Sequence, residues 1–139
     1  MLFAIPCVVL HAQDQRENDT SSILVFKDIF YKTAGPVKKG TASFYSLKFE
    51  GRKTANGAVF SHSKYTAASN HFPLGVYVKV LNPINNQFVV VKINDRMAKS
   101  MSKKGRIVDL TRLAAKEIEI FKHGIGKVLV QKVEKLANK

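Results

Sequence analysis

Cysteine, tryptophan, proline and acid are all scarce in this chain: one Cys, no Trp, four Pro, and 10 Asp plus Glu against 23 Lys plus Arg in 139 residues. Cys7 lies in an apolar leader-like stretch, so the remaining chain has no thiol. A disulfide framework and a thiol nucleophile are both excluded there. No apolar run approaches the roughly 20 residues of a membrane-spanning helix. His62, His71 and His123 lack metal-ligand spacing, and no serine has the surroundings of a nucleophile elbow. "GRKTANG" (51–57) lacks the glycine spacing and following helix that a phosphate loop requires. No metal and no cofactor are therefore expected. The shortage of acid leaves a net charge of +13 and a pI near 10.0, which favours anionic polymers as partners. Without an arginine tract, a zinc finger, a helix-turn-helix or an aromatic RNA-binding signature, the expected polymer is not nucleic acid. Acidic cell-wall material and anionic lipid remain.

Residues 1–12, "MLFAIPCVVLHA", carry no Asp, Glu, Lys or Arg and end in a small residue before polar "QDQREND". They are expected to be a signal-like segment cleaved after Ala12, although the usual basic start is missing. Ala4-Ile5-Pro6 matches a lipoprotein processing site poorly, so no lipid anchor is expected on Cys7. Residues 13–39 are expected to be a flexible lead-in and linker. Within them "ILVFKDIFY" (23–31) is apolar enough to pack, and its residues do not decide between strand and short helix. "KTAGPVKKG" (32–40) reads as linker by its Gly, Pro and lysines.

From residue 40 to 135 short strand-like runs alternate with turn signals, as in an all-β barrel or sandwich. The runs are "TASFYSL", "YTAAS", "GVYVKVLN", "QFVVVKIN", "GRIVDL" and "GKVLVQKVE", and "NPINNQ" (82–87) reads as a hairpin turn. One helix is expected over "DLTRLAAKEIEIFKHG". Asp109 or Thr111 would cap its start and Gly124 its end, with Leu110, Leu113, Ala114, Ile118 and Phe121 on its buried face.

Chemistry concentrates at "VVVKINDR" (89–96). Val89, Val90, Val91 and Ile93 form a strand apolar enough to be covered on both faces, and Asp95 stands at its end. A carboxylate there is costly unless it is paired or used. Two readings stand together: a turn residue paired with Arg96 or Arg106, or a functional acid delivered by a rigid strand. Glu50 lies in a polar loop, and Asp109 is accounted for as a helix-start residue.

Residues 40–133 resemble the RlpA-like (rare lipoprotein A) family of septal-ring lytic transglycosylase type. The matching pieces are "GTASFY", "GRKTANG", "VF", "YTAAS", "FPLGVYVKVLN", "VVVKINDR", "GRIVDLTRLAAKEI" and "GIGKVLVQKV", in family order and spacing. The resemblance implies a mainly β fold, a six-stranded double-psi β-barrel with one short α-helix, related to the barrels of expansins. It implies a monomeric envelope protein, exported to the periplasm or beyond, that acts on peptidoglycan glycan strands. Division or envelope proteins would recruit it. The implied reaction breaks the bond between N-acetylmuramic acid and N-acetylglucosamine without water and leaves an anhydro-muramic end. Asp95 is the implied catalytic residue, with Arg96 beside it to orient and charge-balance it. Arg52, Thr54, Asn56, Ser69, His71 and Arg96 are the implied substrate contacts. The family acid after "TANG" is Ala58 here, the histidine after "TAA" is Ser69, a frequent aspartate is Ser61, and "NDRGP" has become "NDRMA". Glu50 and His71 are the two candidates to stand in for the missing groups. The alternative function is an expansin-like wall-binding module that holds glycan without cutting it.

The charge imbalance generates the first prediction. Retention on isolated sacculi should fall as salt rises, because exposed charges are screened over about 8 Å at physiological ionic strength. Co-sedimentation across a salt series checks this, and salt-independent retention would contradict an electrostatic mode.

Overall fold

The computed structural model describes residues 22–136. The signal-like segment and most of the polar lead-in lie outside the described residues. Seven strands form one sheet: β1 (Ile23–Phe26), β2 (Ile29–Phe44), β3 (Thr66–Ala68), β4 (Tyr77–Asn82), β5 (Gln87–Asp95), β6 (Arg106–Leu110) and β7 (Ile125–Lys135). The order is β1-β2-β6-β3-β5-β4-β7, and β7 pairs back onto β2. Six strands thus close a ring, and β1 hangs on β2 outside it. Within the ring β2–β6 and β3–β5 are parallel and the other pairs antiparallel.

β5 is the centre of the core. Val89, Val90, Val91 and Ile93 are all buried, as a strand covered on both faces requires. The apolar cluster joins them to Val78, Val80, Val108, Leu110, Val128, Val130 and Ile118. β4 and β5 are joined by the expected turn, with Asn82 opposite Gln87 and Asn86 at φ 62.

One open choice is settled and two expectations are corrected. The undecided stretch 23–31 is a hairpin, with Phe26 opposite Ile29 and Lys27 and Asp28 at φ 50 and 65. Two positive φ values across a two-residue loop suit the strand twist, but Asn-Gly or Asp-Gly normally signals that loop, and neither is present. The stretch 32–40, expected as linker, is strand: Val37–Gly40 pair with Val128–Gln131 of β7. Gly35 and Pro36 fall where the register shifts between Thr33 and Val37, so a bulge absorbs the residues that read as breakers.

The helix expected within "DLTRLAAKEIEIFKHG" occupies only part of that stretch. α2 spans only Arg112–Glu117, after α1 (Lys99–Lys103), which the sequence did not indicate. Thr111, not Asp109, caps α2, its hydroxyl accepting from the Ala114 N–H at 3.3 Å. The Ile118 carbonyl accepts from Asn82 Nδ2 at 2.8 Å and Asn85 Nδ2 at 3.3 Å, so the β4–β5 turn takes over the helix end. Leu110 belongs to β6, and Phe121 stacks on Phe44 at 4.9 Å from beyond the helix.

Gly40 shows how closely the ring packs. A Cβ there would meet Ile107 Cβ and Cγ2 at 2.8 Å and the Gly105 carbonyl at 3.2 Å. Gly40→Ala should therefore destabilise the barrel by about 1–3 kcal/mol. Urea denaturation measures it, and an unchanged midpoint would contradict this packing.

Candidate active site

Asp95 ends β5 opposite Ala68 of β3, just past a register shift between Ala67 and Ala68. Its carboxylate accepts three hydrogen bonds. The Tyr45 hydroxyl donates to Oδ2 at 2.7 Å, and the Ala55 N–H donates to Oδ1 at 2.9 Å. Its neighbour's own N–H, that of Arg96, also donates to Oδ1 at 2.9 Å. Half-buried at a strand end, the group is satisfied by local donors and pairs with neither Arg96 nor Arg106.

Each donor has a local cause. Tyr45 follows the last residue of β2 and is buried in a small apolar cluster with Phe60, Ala68 and Met97. Its ring lies 4.2 Å from Phe60 and 5.4 Å from Phe49. Burial, then the hydrogen bond to Asp95, then the charges of Asp95 and Asp109 push the phenol well above its usual range. Tyr45 therefore stays protonated and stays a donor. Ala55 belongs to the loop 51–58, which folds on itself. The Thr54 hydroxyl sits 2.8 Å from Asn56 Oδ1 and 2.9 Å from the Ala58 carbonyl, and Asn56 Oδ1 accepts from the Ala58 N–H at 3.0 Å. The loop is anchored to β5 by the Asn56 N–H on the Asn94 carbonyl at 3.2 Å. A stretch that holds no phosphate motif thus presents a backbone donor to a carboxylate.

Of the residues expected around Asp95, Thr54 and Asn56 shape this loop, and Thr54 is buried. Arg52 is exposed, its guanidinium 5.3 Å from the Phe49 ring centre. His71 is exposed, and its backbone N–H donates to Ser69 Oγ at 3.0 Å. Two expectations change. Ser69 is 0% exposed and its hydroxyl donates to the Ile107 carbonyl at 2.8 Å, so it braces the barrel and is not a substrate contact. Arg96 Nη1 donates to the Ser69 and Phe72 carbonyls at 2.7 and 2.6 Å, so its side chain clamps the 69–72 loop instead of balancing Asp95.

Glu50 is not in the Asp95 cluster. Its carboxylate accepts from the His62 N–H at 2.8 Å, beside a pocket of about 390 Å³ that Ser61, Ser63 and Arg112 also line. Asp109 is held by the Ser43 hydroxyl and lies 3.6 Å from Arg106. Tyr45 and the Ala55 N–H were not anticipated. An aromatic residue at the end of an apolar strand, in "TASFY", was the available signal for Tyr45. Among the described residues no three His, Cys, Asp or Glu side chains gather as a metal site. No helix of the described residues is long and apolar enough to cross a membrane.

A six-stranded ring closed through β2 and β7, with two parallel pairs, carries the Asp95 carboxylate at the end of one strand. Residues 37–130 match the double-psi β-barrel family model described as lytic transglycolase, and the chain belongs to that family. It is 43% identical over 116 residues to the endolytic peptidoglycan transglycosylase RlpA of Pasteurella multocida, covering 79% of this chain and 38% of that protein. It is 45% identical over 95 residues to the Haemophilus influenzae protein of the same name, covering 68% of this chain and 32% of that one. The chain thus spans less than two-fifths of the length of these relatives. In fold it is similar to a Streptomyces papain inhibitor, with a TM-score of 0.56 and 20% identity over 72% of this chain and 96% of that one. It is similarly close to a Clavibacter michiganensis expansin, with a TM-score of 0.55 and 24% identity over 74% of this chain and 53% of that one. The fold is the double-psi β-barrel that the sequence resemblance implied.

Tyr45→Phe removes one donor from an ionised acceptor and leaves the ring packing in place. It should cost about 1.5–3 kcal/mol of stability. Equilibrium denaturation checks this, and a loss near zero would show that the hydroxyl does not hold Asp95.

Proposed function

We propose that this chain acts on the glycan strands of peptidoglycan as a lytic transglycosylase, with Asp95 as its single catalytic carboxylate. The observation that carries the reading is a carboxylate fixed at the end of β5 by Tyr45, Ala55 and Arg96. In the reaction, Asp95 gives a proton to the glycosidic oxygen, and the bond from that oxygen to muramic C1 breaks. The C6 hydroxyl of the same muramic ring then bonds to C1 while Asp95 takes its proton. The products are a shortened strand and a 1,6-anhydro end, with no water consumed. One carboxyl group serves as acid and then as base. The barrel domain is taken as residues 40–135, working as an exported monomer in the periplasm or outside the cell. Division or envelope proteins would direct it to its substrate.

A second reading is favoured by one observation: among the described residues Asp95 bonds to no titratable side chain other than the Tyr45 phenol. Ala58 is an exposed alanine and Ser69 is buried. On that reading the same groove holds glycan without cleaving it.

The two readings separate by mass spectrometry of purified glycan strands. Anhydro-muramic products should form with the wild type and fall by about 10²–10⁴-fold in Asp95→Asn, with sacculus binding nearly intact. No product from the wild type leaves the binding reading. Collapse of binding and melting temperature together would make Asp95 a structural turn residue. Ala58→Glu adds a carboxyl at an exposed position and should raise product formation. Ser69→His is not a usable restoration, because the larger ring has no room at a fully buried site.

A further inference from the structure

Between Asp95 and Asp109 the chain carries Arg96, Lys99, Lys103, Lys104 and Arg106 and no acid. Arg106 is matched by Asp109, and Arg96 is turned onto two carbonyls. Lys99 and Lys103 have no carboxylate within ion-pairing distance among the described residues. They stand four apart on α1, where like charges share one face and repel. Both line a pocket of about 510 Å³ together with Arg96, Met97, Asn70 and Ser102.

This pocket adjoins the candidate active site through Arg96 and Met97, the two residues that follow Asp95. It opens beside the residue that follows Asp95, and Met97 packs in the same apolar cluster as Tyr45, whose hydroxyl holds Asp95. Asn70 fixes its shape. Its Nδ2 donates to the Met97 carbonyl at 2.8 Å and to Ser102 Oγ at 2.9 Å, and its Oδ1 accepts from the Met97 N–H at 2.9 Å. The groups left without an opposite charge are the two lysine ammoniums, beside an apolar methionine.

We propose that this pocket is an anionic subsite that takes the carboxylate borne by a muramic ring, and so sets the register of the strand over Asp95. The inference rests on the glycan-strand reading above. N-acetylglucosamine is neutral, whereas the muramic ring carries a lactyl ether with a methyl group and a carboxyl group. That carboxyl is either free or linked to a stem peptide that is itself acidic. Two cations beside Met97 match an anion on a short apolar stem. Because the two sugars alternate, fixing one muramic carboxylate places every second glycosidic bond at Asp95 and excludes the bonds between.

The test is calorimetric binding, at low ionic strength, of a tetrasaccharide of alternating N-acetylglucosamine and N-acetylmuramic acid. It is compared with the same oligomer with its lactyl carboxyls converted to amides, and with the oligomer carrying stem peptides. The wild type should prefer a carboxylate-bearing oligomer over the amidated one by roughly five-fold, as expected for a few exposed charge contacts. In K99Q/K103Q that ratio should approach one with the melting temperature retained, and K99R/K103R should preserve it. Preference for the free lactyl form identifies the lactyl carboxylate as the anion; preference for the peptide-bearing form alone identifies the stem peptide. A wild-type ratio near one, or an undiminished ratio in K99Q/K103Q, overturns the subsite while leaving the glycan-strand reading. Binding of no oligomer overturns that reading, and the subsite with it.

Discussion

The Asp95 carboxylate is the junction on which the rim of this barrel depends. Tyr45 reaches it from the end of β2, Ala55 from the loop 51–58, and Arg96 from the chain leaving β5. Three segments far apart in sequence converge on one charge, and hydrogen bonds to charged groups are the stronger kind. Removing the acid would leave donors unmatched at a half-buried point, so position and chemistry cannot be varied independently there. The carboxylate thus organises its own surroundings.

The scaffold beneath that junction is apolar and rigid. Val89, Val90 and Val91 of β5 are all buried, and the ring closes through β2. With the strand fixed, the carboxylate at its end is fixed too. Arg96 extends the same logic outward: its two bonds to the Ser69 and Phe72 carbonyls tie the chain after β5 to the loop after β3.

Residues with strong local preferences were legible in the sequence. β-branched runs announced β4 to β7, and "NPINNQ" announced its hairpin. Asp95 stood out as an acid at the end of an apolar strand. What was not legible depends on partners distant in the chain. Gly35 and Pro36 look like linker until β7 pairs across them. The helix covers only part of 109–124, and Asn82 and Asn85, in another hairpin, take the Ile118 carbonyl just past its end. Arg96 beside Asp95 suggested an ion pair, but neighbouring residues on a strand point apart, and carbonyls 27 and 24 residues away in the chain claim the guanidinium. Ser69 looked like a groove residue because the family carries a histidine there, whereas a small hydroxyl suits a buried position with one carbonyl to satisfy.

Ring closure also governs how such a chain comes together in time. β7 pairs with both β2 and β4, so the seam joins residues about ninety apart in sequence, such as Lys39 with Leu129. Contacts this distant must overcome loop-closure entropy before they yield stabilisation, which places the barrel among slowly folding topologies. Until β7 has been synthesised, β2 lacks a partner along most of its length and the valine core has no complete wall. A nascent chain is therefore kept open by its own topology until its last strand emerges.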